Sequence, residues 1–281
     1  MQIIGLCRFS YAGRGGFQVM HETLEEREAY LYAPKRMDER FRHFETLTLP
    51  SIKAQSDKGF ILLIVIGESF PEAYLERLLD LTEPVEQIAI VAEPPGRHRP
   101  VMRNVINRFR QDDGAPCLQF RLDDDDAVGI DFIERLRTAG KDLKRWARHH
   151  PQVGIDFNKG YLVRAGADGL HVRPTQSPYD SAGLAILFQG HNEKCVTDFG
   201  HHKVWREMPT VTFPDVDMMV SSYSSFNDSK QKRGGQHGEL SPITSEQVSY
   251  FRAVFNIDND HVRRVFSAPG LLPLAVEGEE A

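Results

Sequence analysis

The sequence predicts an α/β protein with a mostly parallel, mixed sheet that is flanked by helices and extended by antiparallel strands toward the C-terminus. Three apolar runs, at residues 2–8, 60–67 and 85–92, are typical of strands buried on both faces of a parallel sheet. A helical pattern follows each run. Strands that alternate with helices build parallel sheets, and the loops at their carboxyl ends form the ligand crevice.

Apolar residues that recur at helical spacing define the helices of the first half. The predicted helices cover residues 38–55, 71–81, 97–110 and 131–150. Asp38 is the predicted N-cap of the first helix, and Pro50 is expected to kink it. Asp131 and Glu134 form a capping-box-like start for the fourth helix.

Beyond Pro151 the pattern changes to short strand-like runs that Gly, Asp and Pro separate, as in hairpins. These runs are residues 153–157, 160–164, 169–173 and 184–189. We interpret them as an antiparallel extension of the same sheet, so that residues 1–276 form one domain. The remaining predicted elements are a strand at 210–222, a polar loop at 224–238, a final helix opened by Thr244 and Gln247, and a disordered acidic tail at 277–281.

Composition limits the classes of protein that the chain can represent. Its 281 residues, 41% hydrophobic and 26% charged, are ordinary for a globular protein. The net charge of -6 argues against a general nucleic-acid-binding protein, which needs a basic face. No apolar stretch approaches the length of a membrane span, and no N-terminal segment resembles a signal peptide. The scattered thiols of Cys7, Cys117 and Cys195 favour a reduced, cytoplasmic protein.

Four consecutive aspartates follow an apolar run that ends at Leu122. They are Asp123, Asp124, Asp125 and Asp126. Adjacent carboxylates repel one another, so such a cluster is stable only when it is solvated or bound to a cation. Asp-x-Asp at a strand end is where a divalent metal that carries phosphates is expected. A solvated acidic turn is the alternative.

The helix predicted at residues 97–110 carries five arginines in an otherwise acidic protein. Arg99, Arg103 and Asn104 lie near its expected start, and a helix N-terminus with arginines suits a diphosphate. A solvated basic face is the alternative. The position directly before the acidic cluster favours the ligand-binding interpretation.

Together these features indicate a metal-dependent transferase that acts on a diphosphate donor. Transfer of a sugar from a nucleotide-sugar needs cations on the leaving diphosphate and a base for the acceptor hydroxyl. A calcium-binding EF-hand is excluded because Ala127 and Val128 stand where it needs an oxygen ligand and a glycine. A nucleotidyltransferase is a further alternative, although no glycine-rich phosphate motif with lysine is present.

Several segments also carry a resemblance to a known family. LTLPSIKAQ at residues 47–55, followed by the strand FILLIVIG, resembles the opening of GT-A-fold glycosyltransferases. PVMRN at residues 100–104 is similar to the Ala-Arg-Asn segment of family-2-like members, and LDDDD at 122–126 resembles their Asp-x-Asp motif. With Arg8 and Ser10, these segments look most like the bacterial rhamnosyltransferase group. The resemblance covers the first half of the chain best.

The resemblance implies a UDP- or dTDP-linked sugar donor, a saccharide acceptor and an Mn²⁺ or Mg²⁺ ion. Asp125 would coordinate the metal, and Asp123 would contact the metal or the ribose. The residues implied in donor binding are Arg8, Ser10, Arg99, Arg103, Asn104, Asp123 and Asp124. Residues 1–150 would form the nucleotide-sugar half and 151–276 the acceptor half. Synthesis of a bacterial surface polysaccharide would also allow peripheral contact with the inner membrane.

The second half departs from the family pattern. Family-2-like enzymes usually carry a Glu-Asp motif before a helix, with its Asp as the base, but this chain has Asp198 followed by Phe-Gly-His-His. Asp198 or His202 could take the proton, and His201 and His202 could reach the metal. Asp180 is a less favoured base. The missing motif leaves open a catalytically silent scaffold that binds a carbohydrate or a nucleotide.

Overall fold

A computed structural model describes most of the chain. The described residues are 1–15, 21–111, 114–224, 226 and 239–270. The predicted tail and most of the predicted polar loop lie outside them. The described strands are β1 (Gln2–Arg8), β2 (Ile61–Gly67), β3 (Ile88–Glu93), β4 (Cys117–Arg121), β5 (Ala127–Val128), β6 (Gln152–Phe157), β7 (Lys159–Gly166), β8 (Gly169–Gln176), β9 (Leu184–Phe188), β10 (Thr210–Phe213), β11 (Met219–Ser222) and β12 (Ser241–Pro242).

Helices of different lengths connect these strands. They are α1 (Leu24–Leu31), α2 (Pro34–His43), α3 (Leu49–Lys53), α4 (Glu72–Thr82), α5 (His98–Arg108), α6 (Phe132–Asp142), α7 (Lys144–Ala147), α8 (Val204–Glu207), α9 (Ser245–Phe255) and α10 (Asn259–Ser267). A π-helical segment covers Phe44–Thr48, and 3₁₀ turns cover Val196–Asp198 and His201–Lys203. Among the described residues, no helix is both long and apolar enough to cross a bilayer.

The larger sheet has the strand order β10-β6-β9-β4-β1-β2-β3 among the described residues. Strands β4, β1, β2 and β3 are parallel neighbours. Strand β9 runs antiparallel between β4 and β6, and β10 is parallel to β6. The mixed, mostly parallel sheet that the sequence predicts is confirmed.

Side chains of the central strands alternate between two cores. Ile4 and Leu6 of β1 pack with Leu63 of β2 on one face, whereas Ile3 and Cys7 pack on the other. Helix α5 covers the first face, and α2, α4 and α6 cover the second. Because both faces are buried, the interior of β1 and the whole of β2 are apolar, and this is why the sequence predicts these strands correctly.

A second sheet has the order β12-β8-β7-β11-β5 among the described residues. Strands β7 and β8 form an antiparallel hairpin, β11 is parallel to β7, and β5 is an antiparallel edge. Val163, Leu170 and Val172 of the hairpin pack against Phe251 of α9 and Val262 of α10. These contacts give the second sheet a hydrophobic cluster of its own.

The prediction that the four short runs beyond Pro151 extend one sheet is wrong in part. Strands β6 and β9 join the first sheet, but β7 and β8 belong to the second. The strand predicted at residues 210–222 also divides, because β10 lies in the first sheet and β11 in the second. A short apolar run reveals that a strand is buried but does not reveal its partner strand.

The first predicted helix begins earlier than expected and is not α-helical throughout. Helix α2 starts at Pro34, so Asp38 lies inside it and accepts a hydrogen bond from Arg42 Nε at 2.7 Å instead of capping the helix. The π-helical segment Phe44–Thr48 precedes α3. Pro50 lies in the first turn of α3, where a missing N–H is readily tolerated.

One of the two predicted capping boxes is present. Asp131 makes no side-chain cap bond, and Glu134 instead accepts a hydrogen bond from Ser56 Oγ at 2.8 Å, so the first prediction is wrong. The second box is confirmed, since Gln247 N donates to Thr244 Oγ1 at 3.3 Å and Thr244 N donates to Gln247 Oε1 at 3.0 Å. The helix that it opens, α9, is not the final one, because α10 follows.

Candidate functional site

A cleft of about 480 Å³ opens at the carboxyl ends of the parallel strands β1 and β4. This edge of an open α/β sheet is where ligands usually bind, since loops converge there. Among the described residues, the arginines that line the cleft are Arg8, Arg27, Arg36, Arg40, Arg99 and Arg121. The aspartates that line it are Asp123, Asp124, Asp125, Asp126 and Asp180. The cleft is therefore rich in both charges.

Arg40 of α2 holds the second and third residues of the acidic cluster. Its Nε donates to Asp124 Oδ2 at 2.9 Å, and its Nη1 donates to Asp125 Oδ2 at 3.0 Å. Its Nη2 contacts both carboxylates. Asp124 and Asp125 are buried, with 1% and 5% of their surface exposed. One guanidinium group thus offsets the repulsion between adjacent carboxylates where water cannot screen it.

Asp123 lies between two further arginines. Arg121 Nη2 donates to its Oδ2 at 2.7 Å, and Arg8 Nη2 donates to its Oδ1 at 3.3 Å. Burial alone would raise the pKa of Asp123, but the charges of Arg121 and Arg8 outweigh burial and hold the pKa far below its usual range. Asp123 is therefore a carboxylate over the whole physiological pH range.

His98, the first residue of α5, contacts the same group of charges. Its Nε2 lies 3.3 Å from Arg8 Nη1. Burial and then the positive charge of Arg8 lower the pKa of His98 to about 3. The imidazole is therefore neutral at physiological pH, and its ring nitrogen accepts the hydrogen bond from Arg8.

Asp126 lies between the two sheets and is hydrogen-bonded to neighbouring elements. Ser222 N of β11 donates to its Oδ1 at 2.9 Å, and Thr48 Oγ1 donates to its backbone oxygen at 2.7 Å. Burial, and then the charges of Asp125 and Asp123, raise the pKa of Asp126 well above its usual value. These two hydrogen bonds give Asp126 a structural role.

Ser10 and Arg36 form a further wall of the cleft. Ser10 has a φ of 53°, in the left-handed region, which bends the chain as it leaves β1. Arg36 Nη1 donates to Ser10 Oγ at 2.8 Å and to Leu31 O at 2.9 Å. Arg27 of α1 is buried in the same wall. Guanidinium groups at this position suit an anionic ligand.

Sequence reasoning missed Arg27, Arg36 and Arg40. Arg36 and Arg40 are four residues apart on α2, so they lie on one face of the helix beside the buried Phe41. That spacing is the signal that could have found them. It is a weak signal because arginines at helical spacing usually form a solvated face.

The second part of the chain contributes a carboxylate and two histidines to the cleft. Asp180 Oδ1 accepts a hydrogen bond from Ser221 Oγ at 2.9 Å. His201 Nδ1 lies 2.7 Å from Tyr179 O, and because a carbonyl only accepts, this nitrogen carries the proton. Burial lowers the pKa of His201. His202 is exposed at the rim.

Three predicted site residues, Arg103, Asn104 and Asp198, do not line the cleft. Arg103 Nε and Nη2 donate to the two oxygens of Asp198 at 2.9 and 2.6 Å, and Cys195 N also donates to Asp198. Asn104 is exposed on α5. Arg99 in the first turn of α5 faces the cleft, whereas Arg103 one turn later faces the 3₁₀ turn that contains Asp198. This ion pair gives Arg103 and Asp198 a structural role.

The other predicted site residues converge. They are Arg8, Ser10, Arg99, Asp123, Asp124, Asp125 and His202, all of which line the same cleft. Residues from both predicted halves of the chain line the cleft. Each half also contributes strands to both sheets: β5 of the first half lies in the second sheet, and β6 of the second half lies in the first sheet.

A divalent metal ion needs several oxygen or nitrogen ligands around one point. In the described part of the chain, no group of three His, Cys, Asp or Glu side chains is placed to hold such an ion. Asp123 binds Arg8 and Arg121, and Asp125 binds Arg40. The carboxylates of Asp123 and Asp125 are thus engaged by arginines among the described residues, and the metal site at these two aspartates stays a prediction.

Comparison with known families identifies the class of this protein. A family model described as "Putative rhamnosyl transferase" matches residues 2–236. The chain belongs to this family. Its membership confirms the resemblance and the transferase class that were inferred from the sequence motifs. None of the curated proteins matches the chain.

Solved structures to which the chain is similar include those of S. aureus TarS. The TarS 1–349 structure is 11% identical, with a TM-score of 0.40, and the match covers 79% of this chain and 60% of TarS 1–349. The structure of TarS 1–349 in complex with UDP-GlcNAc is 10% identical, with a TM-score of 0.43, and the match covers 81% of this chain and 60% of that one. The structure of UDP-glucose pyrophosphorylase complexed with UDP-glucose is 10% identical, with a TM-score of 0.32, and the match covers 67% of this chain and 76% of that one. The chain thus spans about 60% of the TarS fragment.

Proposed function

We propose that this rhamnosyl transferase family member moves a sugar, rhamnose in keeping with the family description, from a nucleotide-diphospho-sugar to a saccharide acceptor. The observation that carries the proposal is the arginine-lined cleft at the carboxyl ends of β1 and β4. A diphosphate is a multiply charged anion, and guanidinium groups bind such anions through paired hydrogen bonds. The family match supports glycosyl transfer as the reaction.

Arginines of the cleft have a defined part in this reaction. The bond between the sugar and the diphosphate breaks, and negative charge accumulates on the departing diphosphate. Arg36 and Arg99, which reach the cleft from two different helices, stabilise that charge. Asp123, which Arg8 and Arg121 hold in its ionised form, accepts hydrogen bonds from hydroxyl groups of the donor.

We assign the proton acceptor to Asp180 rather than to Asp198. Asp180 lines the cleft, whereas both oxygens of Asp198 bind Arg103 outside the cleft lining. The hydrogen bonds from Ser221 Oγ and Ala182 N both end on Asp180 Oδ1. Its Oδ2 is the oxygen that takes the proton of the acceptor hydroxyl. His202, at the exposed rim, is the second candidate.

The Mn²⁺ or Mg²⁺ ion stays a prediction. Because the described residues include no group of three His, Cys, Asp or Glu side chains placed to hold an ion, we expect the diphosphate to supply further ligands. We therefore expect Mn²⁺ alone to leave the melting temperature unchanged. With UDP or dTDP present, the melting temperature should be higher in Mn²⁺ than in EDTA. Asp125→Asn should abolish this difference.

The control for the metal experiment is Asp131→Asn, which removes an exposed carboxylate outside the cleft lining. This variant should behave as the unmodified protein does. Equal melting temperatures in Mn²⁺ and in EDTA, with nucleotide bound in both, would show that the diphosphate is held without a divalent metal.

The proposed function is tested by incubating the purified protein with UDP- and dTDP-linked sugars one at a time. We expect slow release of the nucleoside diphosphate from one donor, because water replaces the missing acceptor. The same nucleoside diphosphate should raise the melting temperature. Arg36→Met should abolish the rise, since it removes a buried cationic group from the cleft wall, whereas Arg135→Met should not.

Each alternative function gives a different result in this experiment. Binding of a nucleotide-sugar without any release of nucleoside diphosphate would indicate a silent binding protein. Release of pyrophosphate from a nucleoside triphosphate and a sugar phosphate would indicate a nucleotidyltransferase. If no nucleotide changes the melting temperature, the assignment of the cleft as a donor site is wrong.

A further inference from the structure

The chain has two tryptophans, and both have large exposed surfaces. Trp146 of α7 is 42% exposed and Trp205 of α8 is 53% exposed. They differ in position. Neither indole is part of the cleft lining, but α8 begins directly after the 3₁₀ turn His201–Lys203, whose two histidines line the cleft. Trp146 lies in α7, and neither α7 nor the residues next to it contribute to the cleft.

A hydrogen bond fixes the indole of Trp205 to a residue of the cleft lining, His202. Its Nε1 donates to the backbone oxygen of His202 at 3.2 Å. Val204 and Met208, on either side of it in sequence, are buried in the hydrophobic cluster beneath α5. The guanidinium group of Arg206 lies 4.8 Å from the centre of the Trp205 ring. A large, amphipathic ring is thus held beside the cleft opening while half of its surface faces solvent.

We propose that Trp205 is a stacking platform for a sugar ring of the acceptor. This inference rests on the proposed function, because it takes the occupant of the rim to be the acceptor saccharide. A pyranose ring has an apolar C–H face and a polar edge of hydroxyl groups. The C–H face packs on the indole and removes apolar surface from water, while the hydroxyl edge reaches the polar rim residues Asp180 and His202.

The surroundings of Trp205 favour a saccharide over a lipid surface. Its sequence neighbours Lys203, Arg206 and Glu207 are exposed and charged, of both signs. A surface that inserts into a membrane needs a contiguous apolar patch or an apolar helix face, and a single ring among charged residues is neither. Stacking on one sugar ring needs only the one aromatic face.

Tryptophan fluorescence tests the proposal directly. Trp146→Phe leaves Trp205 as the one indole of the chain, and Trp205→Phe leaves Trp146. We expect methyl α-rhamnoside, methyl α-glucoside or methyl β-galactoside to change the emission of Trp146→Phe in a saturable way, with no such change in Trp205→Phe. Glycosides that alter neither variant, or both equally, would overturn the proposal. So would a response of Trp205 to anionic lipid vesicles but to no glycoside.

Kinetics give a second test that is independent of fluorescence. In Trp205→Ala we expect the acceptor KM to rise at least about tenfold, while the donor KM and donor hydrolysis change less than about twofold. Trp146→Ala is the matched control and should leave both unchanged. An unchanged acceptor KM in Trp205→Ala, with donor hydrolysis intact, would overturn the platform and leave the proposed function standing. Absence of any donor binding in the unmodified protein would instead overturn the proposed function.

Discussion

Replacement of Arg40 by methionine should lower the free energy of unfolding by about 3–5 kcal/mol, the range for removal of one partner from a buried ion pair. Arg40 binds Asp124 and Asp125, and all three side chains are almost completely buried. Without the guanidinium group, two adjacent carboxylates would remain in a poorly screened site. Urea unfolding followed by circular dichroism measures the loss.

The matched control for this prediction is Arg135→Met. Arg135 forms an ion pair with Asp131 four residues earlier on the chain, but the two side chains are 40% and 37% exposed. Exposed pairs of this kind contribute less than about 1 kcal/mol. Adding Asp125→Asn to Arg40→Met should restore part of the lost stability, because it removes one uncompensated charge. An Arg40→Met protein as stable as Arg135→Met would contradict the assigned role of Arg40.

Replacement of Asp180 by asparagine should lower kcat by about 10²–10⁴, the usual contribution of a general base. Asparagine is nearly isosteric and its Oδ1 still accepts the hydrogen bonds from Ser221 and Ala182. Donor binding should therefore persist, and the rise in melting temperature with the nucleoside diphosphate should be unchanged. The measurement is transfer to a saccharide acceptor under single-turnover conditions, with thermal unfolding of the same samples.

Asp198→Asn separates the two assignments of the base. Because Arg103 and Cys195 N bind the Asp198 carboxylate, this variant should lose stability and keep its turnover. Loss of turnover in Asp198→Asn with normal turnover in Asp180→Asn would show that the base is Asp198, as its position in the sequence suggests. A kcat that is reduced only in His202→Gln would identify His202, at the exposed rim, as the base.

The central sheet is predictable because one physical requirement determines each residue. Strands such as β2 are buried on both faces, so every position must be apolar and no other local structure fits as well. The hairpin of β7 and β8 is predictable as strands for a different reason, because Gly, Asp and Pro separate its short strand-like runs. Its membership of a second sheet is not, because partner choice depends on the packing of α9 and α10, which are distant in sequence.

The residues of the candidate site likewise fall into those that the local sequence reveals and those whose role depends on distant residues. The acidic cluster stands out because like charges rarely adjoin at a strand end, and the structure places it in the cleft. Arg40 does not stand out, since its partners Asp124 and Asp125 are more than eighty residues away in sequence. Asp198, in contrast, was predicted as a site residue but does not line the cleft. Its sequence position beside His202 suggests a shared site, but the direction of its side chain depends on Arg103, which the local sequence does not contain.

The acidic cluster leaves β4 in one sheet and enters β5 in the other. Asp126 adds a second tether through Ser222 of β11. Because only five residues separate β4 from β5, a tilt of one sheet relative to the other would displace the aspartates together with the arginines bound to them. Under the proposed function, a saccharide bound beside β11 would thereby be coupled to Asp123, the residue assigned to the donor hydroxyl groups.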